Sequence, residues 1–299
     1  MFYSEDISYR ISFNFNDGEG FADKYYLLYK NDDTRIEIGK NRPAVALKRS
    51  TEGYPLIGTA YWKGREYHVD YEKSINNFTF GSSIALKRPL GYDDAVEDKS
   101  FRMLVYDDAE KLDGQTVEYG IRGAFSLDSF NLIGWYYAGK LIDDEDWKKR
   151  LHYDFDYYAT VEPDNVLSEN ANIDHYWFGV RAEYSILNTL IRGEYIQSED
   201  GFLPRSGYYV EASRDFNIKK FSSPLTLLAR YGELWIDRGG DIFFPLLKDP
   251  HTWDRNLITL AAIYDITDYA KIKFEYYLLD EKTGDTMDDA DAQNRIYQP

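Results

Sequence analysis

Apolar and polar residues alternate with a period of two along most of the chain. Ile7, Tyr9, Ile11, Phe13 and Phe15 alternate with Ser8, Arg10, Ser12 and Asn14. Tyr67, Val69 and Tyr71 alternate with Glu66, His68, Asp70 and Glu72, and Val117, Tyr119, Ile121 and Phe125 with Glu118, Gly120, Arg122 and Ala124. The pattern recurs in Leu151, Tyr153, Phe155 and Tyr157, in Tyr176, Phe178, Val180, Ala182 and Tyr184, and in Ile272, Phe274, Tyr276 and Leu278. Successive side chains of a strand point to opposite faces, so each stretch predicts a strand with one apolar and one polar face. No comparable window follows the helical period; the polar stretch 144–149 predicts one short helical turn. The pattern predicts about 14 to 16 antiparallel strands, many about ten residues long, which exceeds the usual strand of about 5–6 residues and matches the roughly 9–11 of a bilayer-crossing strand.

The connections are unequal. Stretches 31–34, 73–76, 127–129, 187–188 and 265–269 are short; 49–58, 89–100, 162–174, 199–206, 237–254 and 280–295 are long and polar. Toward the C-terminus they alternate short and long. A membrane β-barrel does this, with tight turns on its periplasmic rim and longer extracellular loops. That order places 187–188 and 265–269 on the periplasmic rim and 199–206 and 280–295 on the extracellular one. Ala46-Leu47-Lys48-Arg49 is echoed by Ala85-Leu86-Lys87-Arg88, each expected just after a strand. No linker-like shift in composition divides residues 1–299, so one domain is expected.

Alternation alone also fits a soluble sandwich. The charges decide between the two. Mid-strand positions on the polar face carry Arg10, Arg122, Arg181, Arg192, Arg230, Glu118, Glu183, Glu194 and Glu275. In a barrel these line a wet lumen while the Tyr/Phe/Ile/Val set meets lipid. So many long strands without covering helices leave few soluble solutions, and closing the sheet removes unpaired edges. Tyr25, Tyr26, Tyr29, Trp62, Trp135, Tyr136, Tyr137, Tyr157, Tyr158, Tyr208, Tyr209, Trp235, Tyr276 and Tyr277 are candidates for interfacial aromatic girdles. The expected fold is an all-β, antiparallel transmembrane β-barrel of about 16 strands.

Composition sharpens this reading. The 299 residues include 28 Tyr, 17 Phe and 6 Trp, and the net charge is −17. An acidic chain lacks the basic face that nucleic acid requires. The absence of Cys excludes disulfides, thiolate metal sites and thiol nucleophiles. The longest charge-free stretch, 74–86, falls short of the roughly 20 residues of a spanning helix. The N-terminus, Met1-Phe2-Tyr3-Ser4-Glu5-Asp6, has no basic segment followed by an apolar one, as a signal peptide would.

Three stretches resemble the phosphate-selective porin family of bacterial outer membranes. They are Arg35-Ile36-Glu37-Ile38-Gly39-Lys40-Asn41-Arg42-Pro43, Gly207-Tyr208-Tyr209-Val210-Glu211-Ala212-Ser213, and 253–276 with Trp253-Asp254-Arg255-Asn256 and Ile263-Tyr264-Asp265-Ile266-Thr267-Asp268. The resemblance is to the middle and C-terminal part of that family. It implies an outer-membrane location, a passive water-filled channel for small hydrophilic solutes, and selection of anions such as phosphate by basic lumen residues. Such porins start with a signal peptide and end on a strand closed by an aromatic residue, whereas this chain ends Arg295-Ile296-Tyr297-Gln298-Pro299. A fragment trimmed at both ends and lacking a final strand is therefore expected.

The candidate pore-lining residues are Arg10, Arg122, Arg181, Arg192 and Arg230, whose guanidinium groups bind phosphate or carboxylate well. The bland alternative pairs them with Glu118, Glu183 and Glu194 in a structural lattice. Lys48, Arg49, Lys87 and Arg88 are candidates for a basic cluster at a constriction or mouth, against the alternative of solvated loop ends. The acidic runs 143–146, 280–281 and 285–291 offer oxygen ligands to divalent cations near lipopolysaccharide, but 285–291 lacks the calcium-loop spacing. His68, His152, His175 and His251 have no zinc-site spacing, and no G-x-S-x-G or phosphate-binding loop occurs, so neither an enzyme nor a cofactor is indicated. The expected partners are outer-membrane lipid and lipopolysaccharide, small ions or solutes, and copies of the chain itself in a homotrimer, although no sequence feature marks that interface. Two other classes remain in view: a soluble all-β carbohydrate-binding module using Trp and Tyr platforms, and a barrel scaffold that sheathes a partner protein.

Overall fold

In the computed structural model of the chain, the described residues are 6–16, 19–53, 55–61, 65–87, 116–140, 174–200, 203–218, 223–236, 254–267 and 270–282. They form β1 (Ile7–Asn16), β2 (Glu19–Lys30), β3 (Thr34–Asn41), β4 (Glu66–Ile75), β5 (Phe78–Lys87), β6 (Thr116–Leu127) and β7 (Phe130–Lys140). These are followed by β8 (Asp174–Ile186), β9 (Thr189–Asp200), β10 (Leu203–Phe216), β11 (Leu225–Ile236), β12 (Asp254–Thr267) and β13 (Ala270–Lys282). All belong to one antiparallel sheet in which each strand pairs with its neighbours in sequence, from β1 at one edge to β13 at the other. Thirteen of the roughly 16 expected strands are thus described. The alternating stretch 151–159, the helical turn at 144–149 and the acidic runs 143–146 and 285–291 lie outside the described residues, and β7 pairs directly with β8.

The two faces are inverted relative to a soluble protein. Phe274, Tyr9 and Ile121 are 72%, 64% and 63% exposed, while the alternate positions Glu37, Glu118 and Asp70 are 1%, 1% and 2% exposed. A sandwich would bury the apolar set between two layers. Here the apolar set faces outward from a single sheet and the charged set is enclosed. The wider exposed set, including Ile38, Val69, Phe80, Ile84, Val210, Leu227, Leu260 and Tyr276, shares that outward face. No helix among the described residues is long and apolar enough to cross a membrane; the strands are the crossing elements the pattern offers.

Tight turns collect on one rim. Residues 76–77, 128–129 and 187–188 join β4–β5, β6–β7 and β8–β9, and their first residues, Asn76, Asp128 and Leu187, take φ of 52°, 48° and 53°. Left-handed residues suit two-residue hairpins because that turn matches the strand twist. The opposite rim carries the longer connection 42–65, and β5, β7 and β11 end on that same rim. Segment 199–206 is a correction: β9 runs to Asp200 and β10 starts at Leu203, leaving two residues between them. Its Glu, Asp and Pro residues read as a loop, but strands that rise past hydrocarbon into water carry polar residues on both faces. The Ala-Leu-Lys-Arg echo is not structural either: Ala46–Arg49 lies in a loop, whereas Ala85 to Lys87 lies within β5.

Five predicted girdle residues fall on the inner face, Tyr26 among them by its register opposite Gly39. Trp135, Tyr137 and Tyr209 are buried, and Tyr277 reaches into the interior to accept a hydrogen bond from the Gly53 amide. Adjacent aromatics such as Tyr136-Tyr137 and Tyr208-Tyr209 straddle the pleat, so only one of each pair can meet lipid. Trp62, Tyr157 and Tyr158 lie outside the described residues. Inside, the Tyr137 and Trp177 rings stack at 4.6 Å, and Trp135 meets Trp177 edge-on at 5.8 Å. Missing side chains on neighbouring strands make the room: a Cβ at Gly120 would collide with the Tyr137 ring, one at Gly179 with Trp135, and one at Gly81 with the Arg122 guanidinium.

Candidate constriction site

The connection 42–65 leaves β3 and folds into the enclosed face. Val45, Thr51 and Thr59 are fully buried, as is most of the stretch Ile57–Ala60. The Leu47 amide donates to the Thr59 carbonyl at 3.3 Å, which closes the loop on itself, and Thr59–Tyr61 form a single 3-10 turn. The charged wall then holds it from five strands. On β8, Arg181 Nη1 donates to Val45 O at 3.0 Å and to Thr59 Oγ1 at 2.8 Å. On β9, Glu194 Oε1 accepts from the Thr59 amide at 3.0 Å. On β11, Arg230 Nη2 donates to Thr51 Oγ1 at 3.0 Å and Gly53 O at 2.8 Å. On β13, Glu275 accepts from the Glu52 amide at 2.8 Å and from the Gly53 amide at 3.2 Å, and Lys273 Nζ lies 2.7 Å from Glu52 Oε1. On β10, Gly58, with φ of 153°, packs so closely on the Tyr209 ring that a Cβ there would overlap it.

These contacts fix the shape of the sheet. Ten strand spacings separate β3 from β13, which is about 48 Å if the sheet were flat. The chain from Asn41 to Gly53 reaches at most about 43 Å fully extended, and this stretch is bent. The loop therefore meets β13 only because the sheet curls around it, with the charged face concave and the apolar face convex.

Glu52 is exposed at the loop tip. The hydrogen bond from Lys273, aided by Arg49 at 3.0 Å, holds its carboxyl below the usual glutamate range.

All five candidate arginines fall on the inner face by register, and four of them stand against carboxylates. Arg122 makes a bidentate pair with Asp70 at 2.6 and 2.8 Å and also reaches Glu72 at 2.9 Å. Arg192 meets Glu183 at 2.6 Å and Glu211 at 3.3 Å. Arg230 meets Glu211 at 3.2 Å, and Arg181 lies 3.7 Å from Glu183 and 3.9 Å from Glu194. Arg10 sits exposed on edge strand β1, opposite Tyr26, with no ion pair among the described residues. Glu183 and Glu194 serve as expected lattice partners. Glu118 is instead bonded by Trp177 Nε1 at 3.4 Å, and the partners of Arg122 come from β4. The basic cluster is not assembled among the described residues: Lys48 and Arg49 are exposed on the loop, Lys87 ends β5 with its side chain outside the described set, and Arg88 lies outside it entirely.

Sequence reasoning missed Asp70, Glu37, Thr51, Thr59 and the Gly53 backbone. Asp70 and Glu37 carried the period-two signal, but their partners depend on cross-strand register. The loop groups carry no signal, because backbone amides and carbonyls are the same at every residue.

No protein-family model matches the sequence, and no curated protein matches it. Solved structures do. The loop L8 deletion mutant of the outer-membrane protein OmpT of Vibrio cholerae superposes with a TM-score of 0.55 at 13% identity, over 93% of this chain and 80% of that one. Salmonella typhi OmpF, solved with daunomycin, gives 0.57 at 14% identity over 94% and 81%. A porin refined at 1.8 Å gives 0.51 at 13% over 93% and 88%. The chain has the all-β, antiparallel barrel fold of bacterial outer-membrane proteins. At such identities the likeness is one of fold.

Proposed function

We propose that the chain is an outer-membrane porin, a single barrel domain forming a passive, water-filled channel for small hydrophilic solutes. The observation that carries this reading is the loop 42–65, seated in the concave charged face and held by side chains from β8, β9, β11 and β13. A barrel with a polar interior conducts, and a loop anchored inside it narrows the path and sets the charges a solute must pass. The inverted faces support insertion in lipid. The inward loop disfavours a sheath around a partner protein, which would need an open lumen, and the exposed apolar face disfavours a soluble binding module.

The finer part of the proposal is a mild preference for anions such as phosphate, in keeping with the resemblance to phosphate-selective porins. Its support is the set of cations on or against the loop: Lys48 and Arg49 exposed on it, Lys273 at Glu52, and Arg181 and Arg230 on its backbone. Most of these cations are already matched by carboxylates, so the preference is weak. The proposal also includes homotrimers and contact with lipid and lipopolysaccharide; one similar structure is the trimer form of Vibrio cholerae OmpT.

Reconstitution in planar bilayers tests the reading. Stepwise ohmic conductance is expected, larger when 44–60 is replaced by a short Gly/Ser linker. No conductance overturns the channel. A reversal potential favouring cations removes the anion clause alone.

A further inference from the structure

The convex face carries a hollow of about 600 Å³ near the tight-turn rim. Ala212, Ala229 and Ala262 form its floor, because short side chains fall close together there: Ala212 pairs with Ala229, and Ala262 lies diagonally from Ala229 on β12, opposite Leu227. Leu227, Phe274 and Tyr276 wall it. The volume is that of a small-ligand pocket, typically about 300–1,000 Å³.

One cation stands at its end. Arg214 lies two residues before the close of β10 and lines the hollow with its guanidinium 5.3 Å from the Phe216 ring centre. It alternates with Ser213 and Asp215, and Asp215 turns the other way to accept from Thr226 at 2.6 Å. Arg214 therefore points outward, is exposed, and has no ion pair among the described residues. Lys73, at the same rim and also outward, is by contrast matched by Asp33 at 2.5 Å. An outward Arg is tolerated at the level of the lipid headgroups and disfavoured deeper in hydrocarbon.

We propose that this hollow holds one acyl chain of an anionic glycerophospholipid, with the phosphate against Arg214. The occupant follows from position and charge. The hollow opens on the face that meets hydrocarbon, and the unmatched cation lies where a headgroup would sit. Bulk lipid tails are as apolar as Leu, so the hollow alone confers no preference over the bilayer. Selection among lipids falls to the guanidinium, which binds phosphate in a planar fork.

The inference rests on the membrane reading above, and the test separates the two. The full chain is purified in detergent, and lipid retention is measured by native mass spectrometry with phosphatidylglycerol and phosphatidylcholine of equal chain length. Wild type is expected to retain phosphatidylglycerol about fivefold better, the effect of one basic residue at a membrane surface. Arg214→Gln and Arg214→Glu are expected to abolish that preference, and Ala229→Phe, which fills the floor, to lower retention of both lipids. Circular dichroism and heat-modifiable gel mobility confirm that each variant is folded. Equal retention by wild type, or a preference that survives Arg214→Glu, overturns the lipid site and leaves the barrel intact. A change of oligomeric state in Ala229→Phe overturns it in favour of a second copy on this face. A chain that stays monomeric and soluble without detergent overturns the membrane reading itself.

Discussion

Two ionic clusters occupy the enclosed face, and they spend their hydrogen bonds differently. On β3–β6, Arg35 and Arg122 meet Glu37, Asp70 and Glu72, while His68 lies 3.0 Å from Glu37. Every bond described there ends on another side chain of the wall, Asn41 to Glu37 included. On β8–β11, Arg181, Arg192 and Arg230 meet Glu183, Glu194 and Glu211. There, Arg181, Glu194 and Arg230 each also hold the loop 42–65. The difference lies in the ratio of cation to acid. Arg122 is claimed by two carboxylates, whereas Arg230 has, among the described residues, Glu211 alone within salt-bridge reach and directs Nη2 to Thr51 and Gly53. A guanidinium carries five donors, so one carboxylate leaves some to place elsewhere. The same residue types at similar strand positions thus brace the wall in one region and anchor a loop in the other.

The sharpest break is Arg122→Ala. It leaves Asp70 buried beside Glu72 with its main counter-charge gone, at a cost of about 3–5 kcal/mol. The urea midpoint of the barrel in vesicles is expected to fall accordingly, while single-channel conductance of the folded protein stays unchanged, since no loop contact is lost. Pairing it with Asp70→Asn is expected to recover most of the loss. A change in conductance would show that the β3–β6 cluster also shapes the path.

Arg230→Ala probes the other region. It removes the bonds to Thr51 and Gly53, each charge-assisted and worth about 1.5–3 kcal/mol. The expected result is a stability loss of the same order as at Arg122, together with greater open-channel noise as the loop tip is freed. Lower stability at unaltered noise would make both clusters braces and erase the contrast.

How far this contrast was legible depends on the kind of information each contact needs. Parity along a strand is local, so the alternation at 66–72, 117–125 and 176–184 assigned the faces, and the structure agrees. Register is not local. Placing Arg122 beside Asp70 requires β6 to pair with β5 so that Gly81 lies opposite Arg122, and β5 with β4 so that Gly81 also lies opposite Glu72. Nothing in the residue types states those offsets. The loop lay further out of reach. Segment 49–58 reads only as a long polar connection, with Lys48 and Arg49 candidates for a constriction or a mouth; it is seated inside because the wall supplies donors and acceptors for the backbone of Val45, Glu52, Gly53 and Thr59. The anchoring side chains were visible as mid-strand charges; what they anchor was not.

The smallest effect concerns the loop tip, where the anchor region meets solvent. Glu52 is exposed, so its contact with Lys273 contributes little to overall stability. Its titration still gives a clean readout. A carboxyl whose pKa is depressed in the folded state contributes at neutral pH and keeps contributing as pH drops past its ordinary value of about 4.3. The contribution disappears only as pH falls through the depressed value. Noise from the loop tip is therefore expected to stay flat from neutral pH through the ordinary glutamate range and to rise below it. Glu52→Gln is expected to show the raised level already at neutral pH and no further acid step. A step at or above the ordinary value in wild type would mean that Lys273 does not hold this carboxylate in the open channel, and the anchor region would then end at Arg230 and Glu275.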